Sequence, residues 1–243
     1  MSGPNAPHRD APRVSVVIPV LNDAAALAAL LVRLSARLPD NDSEAHGPSA
    51  LEVIVVDGGS LDESAQVASA YGAEVVRAAP GRGGQLADGI DRARGDWLWL
   101  LHADSEPSAE ALAHLLGRSG TPAWGRFSVS LEDSFPMKTI AYMMNLRSRL
   151  TAICTGDQGI FVHRTLLDAI GGMPRQPLME DIELSRRLKR LQPPDCRPER
   201  IGTSPRRWRR DGILRTVLAM WAFRLRYWLG ADAVRLAREY YRS

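Results

Sequence analysis

Hydrophobic residues along the first hundred positions follow two alternating rhythms. Nearly unbroken apolar runs of strand length, Val14-Ser15-Val16-Val17-Ile18 and Leu51-Glu52-Val53-Ile54-Val55-Val56, are rich in β-branched residues and suit strands covered on both faces. Between them Leu27, Leu30, Leu31, Leu34 and Leu38 recur at helical spacing behind Asp23, a capping residue type, and 39–50 reads as a polar loop. Ser60-Leu61-Asp62-Glu63 has the spacing of a capping box and predicts a helix that Gly72 closes. A short strand over 74–78 follows. Gly81-Arg82-Gly83-Gly84-Gln85 then reads as a loop leading into a helix that runs to Arg94. Residues 97–101 are a further apolar run, too short for a helix, which stops at His102-Ala103-Asp104-Ser105.

This alternation predicts βαβ units and a parallel sheet with right-handed crossovers. Ligands of such sheets bind beyond the carboxyl ends of the strands. Three strand ends carry polar groups here: Pro19-Val20-Leu21-Asn22, Asp57-Gly58-Gly59-Ser60 and His102-Ala103-Asp104. Together they are enough for a nucleotide-sized site. Ser108 is the better cap for the helix starting at Ala109, which leaves Asp104 without a structural task and marks it for chemistry. Beyond residue 120 the rhythm changes. Phe127, Val129 and Leu131 alternate with polar residues, as in a half-exposed strand in antiparallel or mixed pairing. Residues 137–150 are helical in composition and 159–162 form a strand. A last helix runs from Glu180-Asp181 to about Leu191, where Gln192-Pro193-Pro194 ends it.

The 243 residues suffice for one large α/β domain with an extension. Residues 1–12 read as a disordered tail, 13–200 as the α/β domain and 201–243 as a basic, amphipathic helical extension. Cys154 and Cys196 form no Cys-x-x-Cys pair and suggest neither zinc nor a disulfide framework, which fits a reducing cytoplasm. The start of the chain lacks the apolar centre of a signal peptide, and no apolar run is long enough to predict a membrane span.

The net charge of +3 hides an asymmetry: residues 200–243 hold eleven Arg against three acids, a net +8, so the rest sums to −5. Such an end expects an anionic partner, a membrane surface or a diphosphate rather than nucleic acid, because no nucleic-acid-binding motif accompanies it. Leu214, Leu218, Trp221, Leu225 and Trp228 fall on one helical stripe that must be covered by something. The protein's own core and a homodimer contact are two choices. The third is peripheral attachment to the inner face of a membrane through 208–229, with Arg209, Arg210, Arg215, Arg224 and Arg226 near anionic lipid.

Five segments, taken in order, carry a resemblance. They are Val-Val-Ile-Pro-Val-Leu-Asn at 16–22, Val-Val-Asp-Gly-Gly-Ser-Leu-Asp at 55–62, Leu-His-Ala-Asp at 101–104, Gly-Asp-Gln-Gly at 156–159 and Met-Glu-Asp-Ile-Glu-Leu at 179–184. The set resembles family 2 glycosyltransferases of GT-A fold, and the Leu-His-Ala-Asp and Gly-Asp-Gln forms are most similar to a bacterial subgroup assigned to arsenosugar biosynthesis. The resemblance implies a Rossmann-like, mostly parallel sheet flanked by helices. It also implies transfer of a sugar from a nucleotide-sugar, UDP-linked, to an acceptor hydroxyl with inversion.

By the same resemblance Asp104 is the ligand of a divalent metal, Mn2+ or Mg2+, which offsets charge on the leaving diphosphate. His102 replaces the first acid of the family's Asp-x-Asp; it can ligate metal, bond to ribose or simply pack. Pro19, Leu21, Asp57 and Ala103 are implied to line the nucleotide, with Asp57 reading the base; a turn-forming Asp before Gly-Gly is the plain alternative. Arg82, Gln85 and Arg207 are implied to face the diphosphate. Asp181 matches the general base, at a helix start whose positive end suits an anion; acids there also serve simply to complement the dipole. Asp157, Gln158, Glu180 and Trp208 are implied to border sugar and acceptor, with an ordinary turn as the alternative at 157–158. Ser204 stands where processive synthases carry the Gln of Gln-x-x-Arg-Trp, which argues against processive synthesis.

Two other classes compete. A nucleotidyltransferase of related fold has a Gly-rich loop with an Arg directly after its first strand, where this chain has Pro-Val-Leu-Asn. A non-catalytic nucleotide-binding or membrane-associated scaffold has no need of both Asp104 and Asp181.

Overall fold

The computed structural model describes residues 13–35, 50–131, 134–203 and 212–240, and leaves the Leu214 side chain aside. Leu38, the loop at 39–49, Ser204, Arg207, Trp208, Arg209 and Arg210 lie outside those residues. The strands are β1 (Val14–Val20), β2 (Leu51–Asp57), β3 (Glu74–Arg77), β4 (Trp97–Leu100), β5 (Ser105–Pro107), β6 (Trp124–Ser130), β7 (Ile160–His163) and β8 (Asp195–Thr203). They make one sheet in the order β3-β2-β1-β4-β7-β6-β8-β5. From β3 to β4 the pairing is parallel. At β7 the direction reverses: β7 is antiparallel to both β4 and β6, β8 runs parallel to β6, and β5 returns antiparallel to β8.

The helices are α1 (Ala24–Ser35), α2 (Ser64–Ala70), α3 (Arg82–Arg92), α4 (Ala109–Leu116), α5 (Phe135–Thr151), α6 (Arg164–Ala169), α7 (Glu180–Leu188), α8 (Ile213–Trp228) and α9 (Ala233–Tyr240). Period-2 alternation in β1 splits the core. Val14, Val16, Ile18 and Val20 pack with Leu27, Leu30, Leu31 and Leu34 of α1 on one face. Val17 packs with Leu86, Ala87 and Ile90 of α3 on the other. Each fully buried Leu of α1 contributes roughly 1.5–3 kcal/mol, enough to hold the helix on the sheet without strong capping. At the amino ends of the strands the buried polar groups satisfy one another. Glu52 accepts from Ser15 Oγ at 2.6 Å and pairs with Arg94 at 2.7 Å, leaving the carboxyl ends as the open edge.

Several expectations need correction. The capping box does not form: α2 begins at Ser64, and Glu63 in the cap position makes no side-chain bond. Asp62 is engaged elsewhere, accepting from Ser64 N at 3.0 Å and, across the loop, from Ala24 N at 3.0 Å at the start of α1. The Gly81–Gln85 segment is no loop, since α3 already starts at Arg82. β6 is buried along most of its length rather than half-exposed. It even buries Arg126, whose guanidinium donates to Ser148 Oγ, Ser128 Oγ and the carbonyls of Asn145 and Arg197. β8 was not foreseen, because Asp195-Cys196-Arg197-Pro198-Glu199-Arg200 carries no apolar alternation and Ile201 is its one fully buried residue. It runs to Thr203, three residues past the expected boundary at 200.

α3 lies close on the sheet at Gly89, where a Cβ would sit 2.5 Å from Val17 Cγ1 and 2.7 Å from Val56 Cγ2. Backbone and sheet leave no room for either partner to move away. Gly89→Ala is therefore expected to destabilise by about 1–3 kcal/mol through overpacking, read as a lower denaturation midpoint at unchanged m-value.

Candidate active site

Two chambers open at the carboxyl edge of the sheet. The larger, about 740 Å3, is lined by Pro19, Val20 and Leu21 after β1, Gly81, Arg82 and Gln85 at the start of α3, and His102, Ala103 and Asp104 after β4. The smaller, about 200 Å3, is lined by Thr155, Asp157, Met179, Glu180, Asp181 and Arg224 among others. Arg82, His102 and Asp104 border both, so the chambers meet at the end of β4.

The turn that presents Asp104 is closed by its own residues. Ser105 N donates to the His102 carbonyl at 3.1 Å, and Ser105 Oγ accepts from His102 N at 3.0 Å. Ser108 caps α4, accepting from Ala111 N, as its position predicts. Asp104 is left facing the cleft. The imidazole of His102 packs against Gly156, where any Cβ would collide with it, and Nδ1 lies 3.3 Å from Asp157 Oδ1. His102 thus reaches across to the segment before β7.

Asp181 is the second residue of α7. Its Oδ2 accepts from Gly156 N at 3.0 Å and its Oδ1 from Ile182 N at 2.7 Å, which fixes the carboxylate beside the smaller chamber. Just before α7, Met179 holds a left-handed backbone at φ 63°, a conformation that costs energy in a non-glycine residue and turns the chain sharply into the helix.

The neighbouring acids are driven in opposite directions. At Asp157 burial alone would raise the pKa, but the bond and charge of His102, helped by Arg82 and Arg224, take it down to about 2. Its side chain is 37% exposed, and that surface opens into the smaller chamber. Glu180 is almost fully buried; that burial, with Asp181 next to it, raises its carboxyl above the ordinary range, against an opposing pull from Arg82.

Other expected site residues are placed differently. Asp57 is buried, and its Oδ1 accepts from Ser60 N at 2.9 Å, the turn-forming role. It lines a separate recess of about 460 Å3 with Ser60, Asp62 and Arg77 rather than the larger chamber. The Gln85 amide clamps strand ends: Nε2 donates to the Val20 carbonyl at 3.0 Å and the Val56 carbonyl at 2.8 Å, and Oε1 accepts from Gly81 N at 3.2 Å. Gln158 turns inward, donating to Asn145 Oδ1 at 3.2 Å and Ser148 Oγ at 3.0 Å and accepting from Thr155 N at 3.1 Å. In each case the amide's capacity is taken up by the scaffold, which residue type alone does not reveal.

Residues not foreseen at the site come from the basic end. Thr216, Met220, Phe223 and Arg224 of α8, with Tyr240 of α9, wall the smaller chamber, and Val234, Ala237 and Arg238 of α9 wall the larger. Leu236 and Ala237 pack on Leu178, Phe223 and Tyr240 meet edge to face at 5.6 Å, and Arg226 pairs with Glu239. The spacing of Thr216, Met220, Phe223 and Tyr227 carried this signal, opposite the more conspicuous Leu/Trp stripe. That stripe is not in the protein's own core: Leu218 is 61%, Trp221 69%, Leu225 56% and Trp228 76% exposed. Among the described residues no helix is long and apolar enough to cross a membrane.

A nucleotide-sized cleft beyond parallel strands, an acid at the end of the central strand and a second acid at a facing helix start are the arrangement of GT-A glycosyltransferases. The sequence carries the same conclusion. The pattern of Glycosyl transferase family 2 matches residues 15–148, and the chain belongs to that family. It is similar to the undecaprenyl-phosphate 4-deoxy-4-formamido-L-arabinose transferases of Klebsiella pneumoniae, 31% identical over 65% of this chain and 51% of the relative, and of Aeromonas hydrophila, 32% identical over the same shares. The chain thus spans about half the length of these curated relatives.

Solved structures share the fold. The Pyrobaculum calidifontis mannosyltransferase in complex with GDP-Man and Mn2+ aligns with TM-score 0.57 and 19% identity, over 79% of this chain and 56% of that one. S. aureus TarS in complex with UDP aligns with TM-score 0.58 and 16% identity, over 79% and 60%.

The Glu180 environment has a pH signature. An unfolded glutamate gives up its proton near 4.5, whereas folded Glu180 holds it to higher pH, so the folded state loses stability as pH rises from that value into the neutral range. Glu180→Gln is expected to remove this loss, melting higher than the parent at pH 8 by an amount on the order of 1–2 kcal/mol, with the difference vanishing below pH 4. Melting curves across that range check it.

Proposed function

We propose that the chain transfers a sugar from a UDP-linked nucleotide-sugar to an acceptor hydroxyl with inversion. The observation that carries this reading is the meeting of the two chambers at Asp104, with Asp181 held in the smaller one. The donor nucleotide occupies the larger chamber, along Pro19, Leu21 and Ala103, with its diphosphate toward Arg82. The sugar then lies where the chambers join. The acceptor enters the smaller chamber, where the anchored carboxylate of Asp181 takes the proton of the attacking hydroxyl. Asp157 and Glu180 border sugar and acceptor.

Among the described residues no three His, Cys, Asp or Glu converge into a protein cage. Asp104 offers one carboxylate at the junction of the chambers, which fits a hard cation that keeps waters and takes its remaining ligands from substrate phosphates. Mn2+ or Mg2+ held by Asp104 would offset charge on the leaving diphosphate. His102, engaged with Asp157, orients the wall beside it.

The exposed stripe of α8 is read as a peripheral membrane contact on the cytoplasmic side. Two Trp and two Leu lie on a face that no described part of the chain covers, Arg215 is exposed near its start, and α8 also walls the acceptor chamber. Such a contact suits an acceptor delivered from a lipid surface, in keeping with relatives named for undecaprenyl phosphate.

Three measurements test these assignments. Asp104→Asn is expected to lower metal-stimulated turnover at least about 100-fold and to weaken UDP binding only when Mn2+ is present; unchanged turnover would falsify the metal role. Asp181→Asn is expected to lower kcat by about 10²–10⁴ while donor affinity holds, and a parallel fall in donor affinity would make it a binding residue. Sedimentation with liposomes of graded anionic content is expected to show binding that rises with anionic lipid and fades with salt, each engaged Arg giving about 1 kcal/mol. A protein left in the supernatant as a stable dimer assigns the stripe to a second subunit instead.

A further inference from the structure

Among the described residues, two guanidiniums stand on the wall of the larger chamber, Arg82 at the start of α3 and Arg238 of α9. Arg82 borders the smaller chamber as well, so it is shared between the two. Arg238 borders the larger one alone. Gln85 lines the same wall, but its amide is taken up by the Val20 and Val56 carbonyls and by Gly81 N.

The helix that carries Arg238 is fixed in place. Asp232 accepts from Arg235 N at 2.9 Å at its start, and Leu236 and Ala237 are buried against Leu178. Val234, Ala237 and Arg238, spaced three and four positions apart, share the face that walls the chamber. The single acid within α9, Glu239, is engaged by Arg226 at 2.9 Å and by Arg235 at 3.4 Å. Arg238 is therefore exposed beside the chamber with no hydrogen bond or ion pair to any described residue. Its neighbours on the helix are either paired or packed; Arg238 is neither.

We propose that Arg238 is a donor-binding residue whose guanidinium meets the diphosphate of the nucleotide-sugar, an inference that rests on reading the larger chamber as the nucleotide site. A planar N–H fork matches phosphate oxygens and, unlike an ammonium, stays charged at any working pH. Asp104 and Arg82 reach the chamber from the sheet edge, whereas Arg238 reaches it from α9, so the diphosphate is met from a second element. The contact also strengthens as the sugar departs and charge gathers on the leaving diphosphate.

Calorimetry on the whole chain with Mn2+ present tests this. UDP is titrated into the parent, Arg238→Gln and Arg235→Gln, and uridine is measured by its displacement of UDP. Arg235→Gln removes the same charge from the same helix at a position that lines neither chamber. The expected result is UDP affinity at least about ten-fold weaker in Arg238→Gln and nearly unchanged in Arg235→Gln, with uridine affinity alike in all three. Equal UDP affinity in the parent and Arg238→Gln overturns the proposal and leaves the donor reading standing. An equal loss in Arg235→Gln makes the effect one of general charge, and an equal loss for uridine makes Arg238 a nucleoside contact; either overturns the diphosphate assignment. A parent that does not bind UDP overturns the donor reading and this proposal together. Arg238 is exposed and fills no part of the core, so its variant is expected to melt with the parent.

Discussion

The arrangement of the site depends on one reversal of strand direction. β7 lies antiparallel beside β4, with Leu100 opposite Ile160, so the residues entering β7 arrive next to those leaving β4. A parallel neighbour would have sent Gly156, Asp157 and Gln158 to the far edge of the sheet. The reversal instead puts Gly156 under His102 and opposes Asp157 to the same ring. Gly156 N then donates to Asp181, and Ser185 bonds Cys154, so α7 is tied to the segment that packs against His102 at the end of β4. Asp104 and Asp181, the acids proposed to act on opposite sides of the reacting centre, come from distant segments of the chain, and this pairing brings them to one cleft.

Much of this was legible because strand-length apolar runs and their polar ends are local signals. β1, β2 and β4, the cap at Ser108, and the position of Asp104 at an open strand end all follow from short stretches. What the sequence concealed was where side chains point. Gln85 and Gln158 are of the right types and beside the right turns, yet their amides are taken up by neighbours 3 to 65 positions away, and Asp57 lines a separate recess with one oxygen bonded to Ser60 N. β8 was hidden because it is a poor strand by composition, held by pairing on both sides rather than by apolar alternation. The Leu/Trp stripe of α8 drew attention to its outer face, while the quieter Thr216-Met220-Phe223 face does the walling.

Four acids crowd this edge, and the protein keeps them distinct by what surrounds each. Asp157 is held charged by His102 and two arginines; Glu180 is pushed toward the neutral form by burial and by Asp181. Asp181 has both oxygens bonded to backbone amides, and Asp104 faces the junction of the chambers. Removing charge at Glu180 spares Asp181 a second full anion at its side, and the same logic sets acid pairs apart in other catalytic clefts.

The walls supplied by α8 and α9 also bear on how the protein is made. Translation delivers β1 to β7 and all four acids by residue 181, but Thr216, Arg224, Ala237 and Tyr240 only some tens of residues later. Until then a nascent chain carries this strand edge without two of its walls, open to bulk water. Closure of the cleft thus waits on residues made after all four acids, so that α8 and α9 turn an open strand edge into a walled cleft.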